Sequence, residues 1–223
     1  MKLTTRFFQL ALLASIGFGI ANVQADDDEG MYAVTVTNLT RGETFTPIMV
    51  ATHTKGIQAF KLGDPASMEL AAIAEGGDFG PLSTMLTDSG AAYDIATNGG
   101  LLAPGASITI MVKMADDFNY VTVTSMLIPT NDAFIAANGV KGPKSKHRSM
   151  MVMSPAYDAG SEPNDELCAN IPGPACGGFG PSPDASGEGY VHIHAGIQGI
   201  GDLTSADYDW RNPTAKIVIK RMK

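Results

Sequence analysis

What most constrains this chain is a set of short runs in which β-branched and apolar residues recur at a period of two. Residues 32–38, 107–113, 120–128 and 215–220 share this pattern, and 46–52 adds Ile48, Met49 and Val50 after a turn at Arg41-Gly42. A period of two sends alternate side chains to opposite faces of a pleated strand, so each run has one face to bury against another layer. Gly and Pro (25 and 13 residues) punctuate the chain, and helical periodicity is scarce. The expected fold class is therefore all-β: an antiparallel β-sandwich of about eight strands with one or two short helices. The acidic turn at Asp116-Asp117 suggests that 107–113 and 120–128 form a hairpin.

One helix is legible. Residues 64–67 can cap it, with Pro65 near its start, while Met68, Leu70, Ala71, Ile73 and Ala74 give it an apolar face and Gly76-Gly77 ends it. No repeat of fixed period and no linker between two cores interrupts 32–223, which reads as one domain.

The start of the chain sets its compartment. Lys2 and Arg6 precede an uncharged apolar run, 7–20, and Val23-Gln24-Ala25 supplies small residues at a cleavage position, so 1–25 reads as a secretory signal peptide. The apolar run is short for a bilayer span, and the acidic tail 26–31 follows at once. The expected product is exported, periplasmic or extracellular, without a membrane span. Losing Lys2 and Arg6 takes the formal charge from −8 to −10. That excess argues against a nucleic-acid or heparin-type partner, which needs a basic patch. The short basic cluster 141–148 reads as a solvated loop.

Between 154 and 203 periodicity vanishes, except at Tyr190-Val-His-Ile-His194, and Gly, Pro, Asp, Glu and Asn dominate. A loop this long in a domain is functional or locally stapled. Cys168 and Cys176, eight apart in an exported chain, read as a disulfide closing a short ring; a thiolate metal site is the alternative.

Oxygen donors gather in two segments. Asn131 and Asp132 follow a strong strand, and Asp158 and Glu162 lie on a turn containing Gly160. Hard cations such as Ca²⁺ want several such oxygens on adjacent loops. Asp in a turn also caps backbone amides, which is the competing reading.

Ile128-Pro-Thr-Asn-Asp-Ala-Phe134 followed by Tyr157-Asp-Ala-Gly-Ser-Glu162 resembles the paired signature of the spondin domain, the module shared by F-spondin and mindin and found in secreted bacterial proteins. The likeness extends through the strand at 32–40, the segment 60–76 and the ending 212–217, so it covers most of 32–221. It implies a C2-like sandwich with one Ca²⁺ at the loop end, held by Asp132, Asp158 and Glu162. Animal members carry Asp at the last place, where this chain has the longer Glu162. The insertion at about 159–203, with Cys168, Cys176 and the His192/His194 pair, departs from the animal pattern and looks like the bacterial branch. Such a module serves adhesion or interaction, with an unknown protein or a cell-surface or matrix ligand as partner.

His192 and His194, at i and i+2 of a strand, face the same way, a spacing that can chelate Zn²⁺ or Cu²⁺. The alternatives are a solvated polar pair or a His bonded to a loop carboxylate. This site carries the competing function, a transition-metal-binding protein or metal-dependent enzyme. No Gly-x-Ser-x-Gly elbow, His-Glu-x-x-His or phosphate-cradling Gly loop occurs, so a non-enzymatic role is expected. Trp210 reads as packing at the sandwich edge rather than a stacking platform. The cluster Met150, Met151 and Met153 reads either as a soft-metal site or as gap filling.

Overall fold

The computed structural model describes residues 30–181 and 186–222, so the signal segment 1–25 and most of the acidic tail lie outside the described residues. Eleven strands form two antiparallel sheets. The smaller contains β1 (Gly30–Asn38), β5 (Ser107–Met114), β8 (Ser149–Ser154) and β11 (Ala215–Arg221), in the order β5-β1-β11-β8. The larger has the order β10-β9-β7-β6-β3-β4, from β3 (Met49–His53), β4 (Ala92–Thr97), β6 (Tyr120–Ile128), β7 (Ala133–Lys141), β9 (Tyr157–Asp158) and β10 (His192–Ile193). The short β2 (Thr44–Phe45) pairs with β6.

The period-two runs pack as their pattern requires. Val34, Val36, Ile110, Val112, Ile217 and Ile219 from the smaller sheet meet Val50, Val121, Val123 and Ile135 from the larger one in a single core. The expected hairpin does not form. β5 pairs with β1, and β6 pairs with β3 and β7. The turn between them instead crosses from one sheet to the other, held by Phe118 N–H donating to the Ala115 carbonyl at 2.9 Å. Burial explains the difference: eight of the nine β6 residues are buried, which demands a hydrogen-bonded neighbour on each side and a cover on each face.

Two helices supply the second cover. α1 (Met68–Gly76) starts with Leu70 N–H donating to the Ser67 hydroxyl and ends at the left-handed Gly77, and α2 (Gly80–Asp88) follows directly. Leu70 and Ala74 pack with Phe134 and Ala136, while Ile73, Leu82 and Leu86 pack with Met49 and Ala51, on the face of the larger sheet turned away from the sandwich. The larger sheet is thus enclosed on both faces, and all five residues of β3 are buried. A third short helix, α3 (Ser205–Tyr208), leads to Trp210, which is buried in the main core and not offered as a platform. The basic cluster spans the end of β7 and the loop to β8.

Cys168 and Cys176 are disulfide-bonded at the expected separation of eight. No helix among the described residues is long and apolar enough to cross a membrane. The ring also has non-covalent anchors. Cys168 N–H donates to Asp202 at 2.9 Å, and Asp165 accepts from Asn131 at 3.0 Å. Removing the disulfide in Cys168→Ser/Cys176→Ser should therefore lower stability by about 2–3 kcal/mol, the loop-closure entropy of a ring this size, without unfolding the sandwich. Urea unfolding of the double variant checks this, and an unchanged midpoint would contradict it.

Candidate metal centre

The loops at one end of the larger sheet bring the acidic and imidazole groups together. β6 ends at Ile128, and Asp132 stands just before β7. Its Oδ2 accepts the amide N–H groups of Ser161 and Glu162 at 2.8 and 3.1 Å and the Ser161 hydroxyl at 3.3 Å. Three donors on one oxygen fold the 159–162 turn back onto β7. That turn needs Gly160: φ is +64°, and a Cβ there would stand 2.4 Å from the Tyr190 carbonyl oxygen. Asp132 Oδ1, buried, has no hydrogen-bond partner among the described residues.

Asp158 lies opposite His192 in the β9–β10 register, so the two side chains share a face. Its Oδ1 accepts Gly160 N–H at 2.7 Å, and its Oδ2 lies 3.8 Å from Nε2 of both His192 and His194. The i, i+2 spacing of the histidines does bring both to one place. Their roles differ, however.

His192 Nδ1 is 3.2 Å from the Tyr190 carbonyl oxygen, which can only accept, so that nitrogen carries the proton. The lone pair of Nε2 then faces Asp158. A histidine held by a backbone carbonyl on one nitrogen and open on the other is the usual form of a metal ligand. In His194, Nδ1 accepts Gly196 N–H at 2.9 Å, which leaves Nε2–H to donate to Asn164 Oδ1 at 2.9 Å. Both its nitrogens are engaged, so His194 supports the site and offers no lone pair. Burial holds it neutral, pushing its pKa down to about 4 against the pull of Asp132.

Asn164 links the set. Its Nδ2 donates to Asp158 Oδ2 at 2.8 Å and to Glu188 Oε1 at 3.2 Å. Asp158, Glu188 and His192 consequently place one ligand atom each within 4.8 Å of one another, and among the described residues theirs is the group of three that does so. Two ligands at about 2.1 Å from one ion stand roughly 3–4 Å apart, and the Asp158–His192 separation fits that. Asp158 is buried, Glu188 exposed and His192 between them, so such an ion would face solvent on the Glu188 side.

Of the expected calcium ligands, Asp132 and Asp158 are electrostatic neighbours, while Glu162 is buried and meets Asp132 through its own backbone amide. Sequence reasoning missed Glu188 and Asn164. Both sit in the aperiodic segment, where no pattern reveals which loop residues converge. The one available hint was an acidic residue flanked by Gly187 and Gly189 just before the His192 strand.

A second carboxylate device holds the same loops. Buried Glu166 accepts the N–H groups of Gly199 and Ile200 at 2.7 and 2.8 Å, tying 198–200 to the start of the disulfide ring. No protein-family model matches the chain, and no curated protein matches it.

Burial and the neighbouring Asp158 charge raise the Asp132 pKa to about 7, against the opposing amide N–H groups of Glu162 and Ser161. Asp158 is raised too, first by burial. A raised folded-state pKa favours the protonated fold, so the stability it contributes is complete below the unfolded value near 4 and is lost as pH rises through about 7. In metal-free protein, the stability of the wild type relative to Asp132→Asn should therefore fall between about pH 4 and pH 7, by at most about 1.4 kcal/mol per pH unit. Denaturant titrations of both chains across that window measure this, and a flat difference would show that Asp132 is ionised in the fold.

Proposed function

We propose that this chain is an exported, spondin-type β-sandwich that holds a divalent cation at its loop end and acts as an adhesion or interaction module rather than as an enzyme. The convergence of Asp158, Glu188 and His192 carries the reading. The resemblance at 128–134 and 157–162 and the signal-like start at 1–25 support it, and the disulfide fits an oxidising compartment. One imidazole with two carboxylates is a nitrogen-and-oxygen donor set of the kind that suits Zn²⁺ and similar borderline ions better than Ca²⁺, which prefers oxygen alone. Asn164 and His194 orient the ligands from behind. The exposed Glu188 edge leaves room for a donor from a protein, cell-surface or matrix partner.

A specific observation favours a second reading, in which Ca²⁺ sits among the oxygens of Asp132, Asp158 and Glu162. A buried carboxylate oxygen without a hydrogen bond, as at Asp132 Oδ1, is costly unless the carboxyl is protonated or a cation faces it. The two readings share Asp158 and separate on His192 and Asp132.

Thermal unfolding of untagged protein, stripped by chelator and then resupplied with Zn²⁺ or Ca²⁺, separates them. An ion at one hundred times its Kd adds about 2.7 kcal/mol, or roughly 5–10 °C in Tm for a chain of this size. The expected result is a Zn²⁺ shift that His192→Ala abolishes and that Asn164→Ala displaces to roughly 10- to 100-fold higher Zn²⁺. A Ca²⁺ shift lost in Asp132→Asn but kept in His192→Ala would establish the second reading. No shift with either ion would overturn the proposal.

A further inference from the structure

The cations of this acidic protein are not spread evenly over the fold. Among its 23 carboxylates, not one lies on the strands of the smaller sheet, β1, β5, β8 and β11, which carry Lys113, Lys216, Lys220 and Arg221. Because α1 and α2 cover the far face of the larger sheet, the outer face of the smaller sheet is the broad uncovered one. Its registers run Ser149–Lys220–Ala33–Met111, Met151–Val218–Thr35–Thr109 and Met153–Lys216–Thr37–Ser107 across the four strands. Hydroxyl pairs Thr35–Thr109 and Thr37–Ser107, at 2.7 and 2.8 Å, make its middle polar and uncharged. Met111, Met151 and Met153 stand exposed on it, the last two on edge strand β8.

Lys113, Lys216 and Lys220 make no ion pair among the described residues. The basic loop with Lys144, Lys146 and Arg148 adjoins one end of this face, where His147 N–H donates to the Arg221 carbonyl. Among the described residues the adjoining carboxylates are Asp94, which accepts Lys113 N–H at the β5 edge, and Asp116 and Asp117 in the turn after β5; in sequence Asp26, Asp27, Asp28 and Glu29 precede β1. Among the described residues they are outnumbered by Lys113, Lys216 and Lys220 of the face and Lys144, Lys146 and Arg148 of its adjoining loop. The metal centre lies at the opposite end of the strands, since β7 runs from Asp132 toward Lys141 and β8 returns from Arg148 toward Asp158.

We propose that the outer face of the smaller sheet docks on an anionic membrane surface, its lysines meeting lipid phosphates and Met111, Met151 and Met153 lying against the headgroup and acyl boundary. Four strands about 4.8 Å apart and some eight residues long cover roughly 500 Å². A stable protein pair buries about 800 Å² per partner, so this face is small for a second copy of the chain or another folded protein. A flat charged bilayer needs no shape complement, and each cation close to it strengthens binding roughly five-fold. The high negative charge elsewhere orients the molecule with this side down. Sequence alone hides the feature, because Lys113, Lys216 and Lys220 are brought to one face only by the pairing of β5 and β11 with β1.

Co-sedimentation of the full mature chain with phosphatidylcholine vesicles, with and without a one-third share of phosphatidylglycerol, tests the proposal. The expected result is binding only to the anionic vesicles, lost at about 0.5 M salt where screening reaches a few ångströms. Lys113→Glu/Lys216→Glu/Lys220→Glu should weaken it more than about a hundredfold. Met151→Ser/Met153→Ser should weaken it less while keeping the salt dependence. Chelator should leave it unchanged, which separates this face from the metal centre. Equal capture by neutral vesicles, no capture by anionic ones, or undiminished binding of a folded triple-lysine variant would overturn the proposal. So would concentration-dependent self-association in velocity sedimentation that the triple variant loses, since a second copy would then own the face.

Discussion

A carboxylate withdrawn from water must be compensated, and Asp158 is withdrawn completely. Much of the loop end follows from that requirement. One oxygen takes the Gly160 amide and the other takes Asn164, whose own carbonyl is satisfied by a neutral His194. His194 in turn is fixed by the Gly196 amide and lies 5.1 Å, ring to ring, from the core residue Trp210. The chain of contacts thus runs from the hydrophobic core to the candidate ligands, and it binds together segments far apart in sequence. The donors to Asp158 are neutral amides, so no group of full positive charge among them offsets the buried carboxylate, and the side facing His192 and Glu188 is where the proposed cation would complete the balance.

The double cover on the larger sheet sets the rest of the molecule. With α1 and α2 on one face and the smaller sheet on the other, the seven-stranded sheet exposes little but its ends. That leaves the strand ends and the outer face of the smaller sheet as the accessible surfaces among the described residues. The two differ in charge: Asp132, Asp158 and Glu188 gather at the end where β7 begins, while the strands of the smaller sheet carry Lys113, Lys216 and Lys220 and no carboxylate.

Much of the fold was legible because its signal is local. Alternation in 32–38, 107–113 and 215–220 marked the one-sided strands correctly, and Ser67 with Gly76-Gly77 marked α1. The pairing of β5 and β6 was misjudged, since an acidic turn looks the same whether it closes a hairpin or crosses between sheets. Only the near-continuous burial of β6 distinguishes the two, and the contiguous apolar end Met126-Leu127-Ile128 is the one hint of it in the sequence. At the site, a period of two correctly placed His192 and His194 on one side. It could not divide their labour, which depends on whether the group facing each Nδ1 is a carbonyl or an amide. Glu188 and Asn164 stayed hidden because loop residues carry no periodicity, and their convergence is a product of tertiary closure alone.

Anomalous diffraction at the zinc edge, on crystals of the chain grown with Zn²⁺, tests the central claim most directly. The account predicts one peak at about 2.0–2.2 Å from His192 Nε2 and from carboxylate oxygens of Asp158 and Glu188, with His194 still bonded to Asn164. A peak coordinated by His194, or one lying between Asp132 and Glu162 without His192, would contradict it.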